Sequence, residues 1–370
     1  IYLDHNASCP LAPRVAEAMK PFLLEHFGNP SSKHWAGLAA SAAIKKAREQ
    51  VASLIGATSE EIVFTSGGSE ANNFALKGVF AKLKNKGRHI ITTAIEHPAI
   101  LNPCIHLELE HDADVTILDV SKEGIVSAED IQNAIREDTI LISVMHANNE
   151  TGAIQPIEQI GEIAKRHEIL FHCDAAQSIG KIPVNVDEMK VSLLSIAAHK
   201  FYGPKGVGAL YIREGVQLEP LVHGAGHEAG RRAGTENVIL DVALGAAAEL
   251  SKDLSWTQKA KELREVLWSG LQKQFQKTGI SRNGQAFLTL PNTLNCCIHG
   301  KIGAQILADL PELAASTGSA CHDGVVRLSP VLEAMGVSKE IGSGALRFSL
   351  GRGTSEEEIQ QVLKLFRERI

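Results

Sequence analysis

No run of Lys or Arg interrupts this 370-residue sequence, and its formal charge is −6. A strongly basic nucleic-acid binder is thereby excluded, and no direct nucleic-acid partner is expected. No stretch approaches the roughly 18 uninterrupted apolar residues of a membrane span. The richest candidate, Val238 to Leu250, carries Asp241 and Glu249. The six cysteines (Cys9, Cys104, Cys173, Cys296, Cys297 and Cys321) are irregularly spaced and never form C-x-x-C. A disulfide framework or a zinc ribbon needs patterned spacing, so a reducing, cytoplasmic setting is expected. Internal repeats, low-complexity tracts and obvious Pro/Gly linkers are absent, as are the Walker A and G-x-G-x-x-G nucleotide loops. The chain begins at Ile1, not Met, so a removed leader stays open.

What is present is enough chain for two domains. Hydrophobic residues make up 44% and charged residues 22%, which permits a large core without cross-links. Pro13 to Phe27 and Ala39 to Ile55 carry helical spacing. Short apolar runs follow at Glu61 to Thr65, His89 to Ala94, Val115 to Val120, Ile140 to Met145, Ile169 to Cys173, Leu193 to Ala197 and Ala209 to Ile212. Helical patterns such as Pro156 to His167 lie between most of them. Such alternation implies an α/β fold with a mainly parallel sheet covered on both faces. After Thr235 the pattern changes. A long helical stretch from about Glu236 to Lys277 is interrupted near Ser255. Strand-like segments follow at Phe287 to Leu290, Asn295 to His299 and Leu346 to Leu350, and the helix Glu356 to Arg369 closes the chain. The expected organisation is a segment 1–12 packing on the small domain and site, a large α/β domain 13–254, and a smaller α+β domain 255–370.

Two strand ends carry reactive groups. Leu193 to Ala197 runs into His199-Lys200, and Phe171-His172-Cys173 runs into Asp174. The carboxyl edge of a parallel sheet is where α/β enzymes place ligands. A desolvated lysine there has a lowered pKa and can form a Schiff base with an aldehyde. A buried carboxylate calls for a cationic partner, and a protonated pyridine is one. Taken singly, a surface lysine and a turn-capping aspartate are the commoner readings. Together, Lys200 and Asp174 define a pyridoxal phosphate site. Ser66-Gly67-Gly68-Ser69-Glu70, glycines after a strand with Ser69 at a helix start, supplies a phosphate anchor. Gly203 to Gly208 precedes a strand and reads as a turn. His97, after the strand at His89, could stack on the ring and shuttle protons. Adjacent Cys296 and Cys297 fall on opposite faces of a strand, so they are not expected to share a metal with His299.

Ten segments, in order, extend this: Tyr2-Leu3-Asp4-His5-Asn6-Ala7, Gly28-Asn29-Pro30-Ser31-Ser32, Ser66 to Asn73, Glu96-His97, Ala147 to Gly152, Asp174 to Gln177, His199 to Gly206, Arg232 to Asn237, Gly318-Ser319-Ala320-Cys321 and Arg347 to Arg352. The chain resembles, over essentially its whole length, the cysteine desulfurases of the NifS/IscS type. These are PLP-dependent enzymes of fold type I in the class V aminotransferase group, with selenocysteine lyases as close relatives. The resemblance implies catalytic roles for Lys200, Cys321 and His97, and a Schiff base between Lys200 and pyridoxal phosphate. It implies that Asp174 holds the pyridine nitrogen, that Gln177 meets the ring hydroxyl and that His97 stacks on the ring. Gly68, Ser69 and His199 would bind the phosphate. Thr235 would reach the phosphate of a neighbouring subunit, which implies a homodimer. Asn149 and Arg347 would bind the substrate carboxylate, beside Asn6 and Ala7. Cys321, among small polar residues, would take the substrate sulfur as a persulfide, with alanine as product. His322 could lower its pKa.

Departures are also legible. Ala197 stands where many relatives have a phosphate-binding serine, Ser69 replaces a common threonine, and Ser8-Cys9 replace Thr-Thr. His5 replaces a frequent tyrosine and is expected to fill its space. Selenocysteine lyase, a simple C–S lyase or transaminase, and a catalytically silent partner-binding subunit are the alternatives. Alanine against pyruvate, and the visible band of a bound pyridoxal, discriminate among them. A protein sulfur acceptor is expected, since iron–sulfur assembly, tRNA thiolation and DNA phosphorothioation all start from this chemistry. With the last helix ending near Ile370, a docking tail is expected to be short or absent.

Overall fold

The computed structural model describes residues 1–317, 321–322, 325–326 and 328–370, the side chains of 321–322 and 325–326 apart. In chain order the first half contains α1 (Pro13–Leu24), α2 (Trp35–Ile55), β1 (Ile62–Thr65), α3 (Gly68–Leu83), β2 (His89–Thr93), α4 (Pro98–His111), β3 (Asp114–Leu118), α5 (Ala128–Ala134), β4 (Thr139–Ser143), α6 (Ile157–Arg166) and β5 (Leu170–Asp174). The second contains β6 (Leu193–Ala197), β7 (Gly208–Ile212), α7 (Val238–Ser251), α8 (Trp256–Gln274), β8 (Ile280–Arg282), β9 (Thr293–Ile298), α9 (Gly303–Asp309), β10 (Cys321–His322), β11 (Val325–Val326), α10 (Pro330–Ala334), α11 (Lys339–Gly342), β12 (Ala345–Ser349) and α12 (Glu356–Arg369).

Seven strands form the large sheet in the order β1-β7-β6-β5-β4-β2-β3. From β3 through β6 every pairing is parallel. Only β7 reverses, pairing antiparallel with both β6 and β1. The alternation of side chains assigns each strand to two cores. Ile62 and Phe64, Leu194 and Ile196, and Ala209 and Tyr211 enter one cluster with α2, α6 and α7. Val63, Leu193, Leu210 and Ile212 enter the other, with α3 and α4. Both faces are therefore buried, as the unbroken apolar runs require.

A three-stranded antiparallel sheet, β12-β9-β8, is covered by α8 and α12. Its core includes Leu3, so the N-terminal segment packs here. Tyr2 and Asp4 bridge to Ala314 and Ser349. The helix α12 starts with a capping box between Ser355 and Glu358, which satisfies two orphan donors at its first turn.

Most elements fall where the periodicity places them. The strand Leu193–Ala197 and the helix Glu356–Arg369 agree to the residue, and the long helical stretch breaks before Trp256. One expectation fails: Phe287 to Leu290 is not a strand. Its pairing is confined to one bridge, Thr289 to Ala153, after which the chain turns, the Leu290 carbonyl accepting from Arg264 and from the Thr293 amide.

Candidate active site

The carboxyl ends of β5 and β6 and the amino end of α3 converge on one cavity. Gly68, Ser69, Asn72, His97, Asp174, Gln177, His199 and Lys200 line it, with Asn149 and Ala197 on its wall. Asp174 is the last residue of β5 and is buried. Its Oδ2 accepts from Asn72 Nδ2 at 2.7 Å and its Oδ1 from the Ala176 amide at 2.9 Å. No cationic side chain pairs with it among the described residues.

Lys200 lies three residues beyond the end of β6, after a single helical turn. Its Nζ donates to the carbonyls of Asn6 and Ala7 at 2.8 and 2.9 Å. Burial first, then the positive charge of Arg347, lowers its pKa from 10.5 to about 8. A usable fraction of neutral amine is therefore present near neutral pH. His199 beside it is held well below the usual range, at about 4, by burial and then by Lys200 and Lys205. It enters the site as a neutral ring.

The amino end of α3 faces the same cavity. Gly67 caps the helix at φ 147°, a conformation that L side chains rarely adopt. The first amides of this 16-residue helix have no intrahelical acceptor, so they and the helix dipole favour an anion there. Glu70 in the first turn would oppose an anion, but Arg232 pairs with it at 2.9 Å and Ser66 N donates to it. At the mouth, His97 accepts from the Ala99 amide through Nδ1 and caps α4. In the neutral ring this leaves the proton on Nε2.

Of the residues expected to bind substrate, Asn149 lines the cavity, while Arg347, Asn6 and Ala7 are not among those lining it. Arg347, on β12, is buried. Its Nη2 pairs with Asp4 Oδ1 at 2.7 Å and donates to Ser316 Oγ, while Nη1 donates to the carbonyl of Asn149. The Asp4 contact is one that pattern reading missed, although Asp4 stands in the N-terminal motif. Asn6 and Ala7 touch the site through their carbonyls, which hold Lys200. Thr235 is exposed and lies outside the cavity, in a second hollow with Glu228, Arg232 and Asp241. Cys321 pairs in β10 with Val326; its side chain and those of Gly318 to Ala320 lie outside the described residues, as does the His322 side chain.

His5 does not line the cavity. It is buried edge-on to Tyr2 at 4.9 Å and tilted against Tyr202 at 6.2 Å, which fits the space-filling expectation. Cys9, Cys104, Cys173, Cys296 and Cys297 are free and buried. Among the described residues no cluster of three His, Cys, Asp or Glu could hold a metal, and no helix is long and apolar enough to cross a membrane.

The aminotransferase class-V family model matches residues 1–362, and the chain belongs to that family. A fold type I sheet with lysine and aspartate at its strand ends is its architecture here. Within the family the chain falls among the cysteine desulfurases of the IscS/NifS type. It is 48% identical to "Cysteine desulfurase IscS" of Dictyoglomus turgidum, across 100% of this chain and 94% of that one. A solved "NifS-like protein" superposes with a TM-score of 0.93 at 40% identity, covering 100% and 98% of the two chains. "SspA in complex with cysteine" superposes with a TM-score of 0.83 at 41% identity, over 94% and 98%.

Proposed function

We propose that the protein is a pyridoxal phosphate-dependent cysteine desulfurase, which converts L-cysteine to L-alanine and takes the sulfur onto Cys321. The observation carrying this is the convergence of Lys200, Asp174 and the amino end of α3 on one cavity. The family is PLP-dependent, and the residues fit that group. A buried carboxylate without a cation suits a protonated pyridine, an amine held only by two carbonyls suits an aldehyde, and unbonded helix amides suit a phosphate. Relatives named cysteine desulfurases favour cysteine over selenocysteine.

When bound, the pyridoxal ring supplies a sink for the electron pair left at the substrate Cα. Asp174 would hold the proton on the ring nitrogen, Gln177 would meet the ring hydroxyl and His97 would lie against the ring. Gly68, Ser69 and His199 would bind the phosphate. Ala197 offers no hydroxyl to it, so one hydrogen bond of the common pattern is missing. Lys200 would hold the aldehyde and move the Cα proton. Arg347 and Asn149 bind the substrate carboxylate, which requires Arg347 Nη2 to leave or share Asp4. The Cys321 thiolate attacks the substrate sulfur. An S–S bond forms, the Cβ–S bond breaks, and protonation of the remainder gives alanine.

Segments 13–254 and 255–370 act as two domains, with 1–12 joined to the second, a division supported by the separate cores. Exposed Thr235, outside this chain's own cavity, supports a homodimer in which it completes a partner's site. A protein acceptor takes the sulfur, and the cytoplasm is the expected compartment. The test is a product assay with L-cysteine and L-selenocysteine side by side. Alanine with sulfide from cysteine supports the reading. Pyruvate and ammonia, or turnover with selenocysteine alone, overturns it.

A further inference from the structure

Lys181 is a buried cation that none of the roles above uses. It is 3% exposed and forms no ion pair among the described residues. Its Nζ donates to Gln177 Oε1 at 2.7 Å and to Asn6 Oδ1 at 3.0 Å. The titratable and charged groups that face it are His5 and Cys9 of the N-terminal segment, Lys200 after β6, and Arg347 on β12. Among the described residues its Nζ bonds two neutral side-chain amides.

An ammonium group has donors and no acceptor. Both amides must therefore turn an oxygen toward Lys181. For Gln177 this directs Nε2 away, and it donates to the Asn6 carbonyl at 2.9 Å. That same carbonyl accepts from Lys200 Nζ. For Asn6, Oδ1 is fixed by Lys181 and Asn292, while Nδ2 donates to Thr293 and to the Asn149 carbonyl. One buried ammonium thus sets the orientation of the Gln177 side chain and of the Asn6 side chain, and the Asn6 backbone carbonyl is shared by Gln177 Nε2 and Lys200 Nζ.

The geometry points to Lys181 as a positioning residue that locks the Asn6 and Gln177 amides and presents Gln177 to the cofactor as a hydrogen-bond donor. A donor at Gln177 favours the ring oxygen as an anion.

This inference rests on the pyridoxal reading. Its test is the pH titration of the visible absorbance of the purified holoenzyme, alongside kcat and Tm. Lys181→Met removes charge and donors; Lys181→Gln removes only the charge and keeps an amide donor, so it carries the test where the first variant does not fold. In both, the midpoint of the band is expected to rise by about 0.5–1 pH unit. Lys181→Gln is expected to keep more kcat than Lys181→Met. A midpoint that is unchanged or lowered, with Tm alone affected, overturns the inference. A wild-type protein with no visible band defeats the pyridoxal reading instead, so the two failures are told apart.

Discussion

Two charged hollows on the large sheet have opposite logic. Around Glu228 the buried carboxylate is paired on both oxygens. Arg48 takes both carboxylate oxygens at 2.6 and 2.7 Å, and Phe64 N donates to one of them. Among the described residues the Asp174 carboxylate has amide donors but no cation, and Lys200 has carbonyl acceptors but no anion. A fully paired buried ion is structural. A buried ion whose natural counterpart is missing waits for a ligand. The contrast locates the chemistry better than either hollow's size or charge.

The largest effect is expected at the unpaired hollow. Lys200→Ala should lower turnover by on the order of 10³-fold or more and remove the visible band, while the fold persists. Turnover within tenfold of wild type would break the contrast. At the paired hollow, Glu228→Gln should appear in stability. It leaves Arg48 half-satisfied and should cost about 3 kcal/mol in denaturant unfolding; a loss under 0.5 kcal/mol would show that the pair is not structural.

Lys200 also sets a pH dependence. Its neutral amine is the reactive form, and its lowered pKa of about 8 makes that form grow as pH rises. The rate at which cofactor-free protein recovers the visible band should therefore rise about tenfold between pH 7 and pH 9, with its midpoint near 8. A midpoint near that of an ordinary lysine would remove burial as the cause.

The smallest effect concerns Asp241, whose Oδ2 is buried without a partner in the paired hollow. Burial and then Glu228 push its pKa from 3.8 to about 8. A raised folded-state value means that stability is full below the unfolded pKa and is lost as pH rises toward 8. Asp241→Asn should therefore gain a few degrees in Tm at pH 8 and nothing near pH 4. An equal gain at both values would show that charge is not the reason.

Much of this was legible in the sequence where one local rule decided the outcome. Unbroken apolar runs became strands buried on both faces, and Asp174 and Lys200 stand at strand ends as read. What failed was set by distant partners. Phe287 to Leu290 has strand composition, yet its pairing stops at one bridge and Arg264 claims the Leu290 carbonyl. The reversal of β7 depends on the turn at Gly203 to Gly208, which the sequence marks as a turn without giving its direction. The hold of Asp4 on Arg347 spans the whole chain, and Lys181 looks like any surface lysine until burial is known. The four-residue spacing of Gln177 and Lys181 was the one available hint.

The account turns on sulfur passing to one thiol. Holoenzyme is mixed with L-cysteine, alanine is quantified, and the Cys321 peptide is weighed, with Cys321→Ala as the parallel sample. Alanine formation with one added sulfur on Cys321, and cofactor binding without sulfur release in the variant, is the predicted result. Full activity toward cysteine in Cys321→Ala would contradict it.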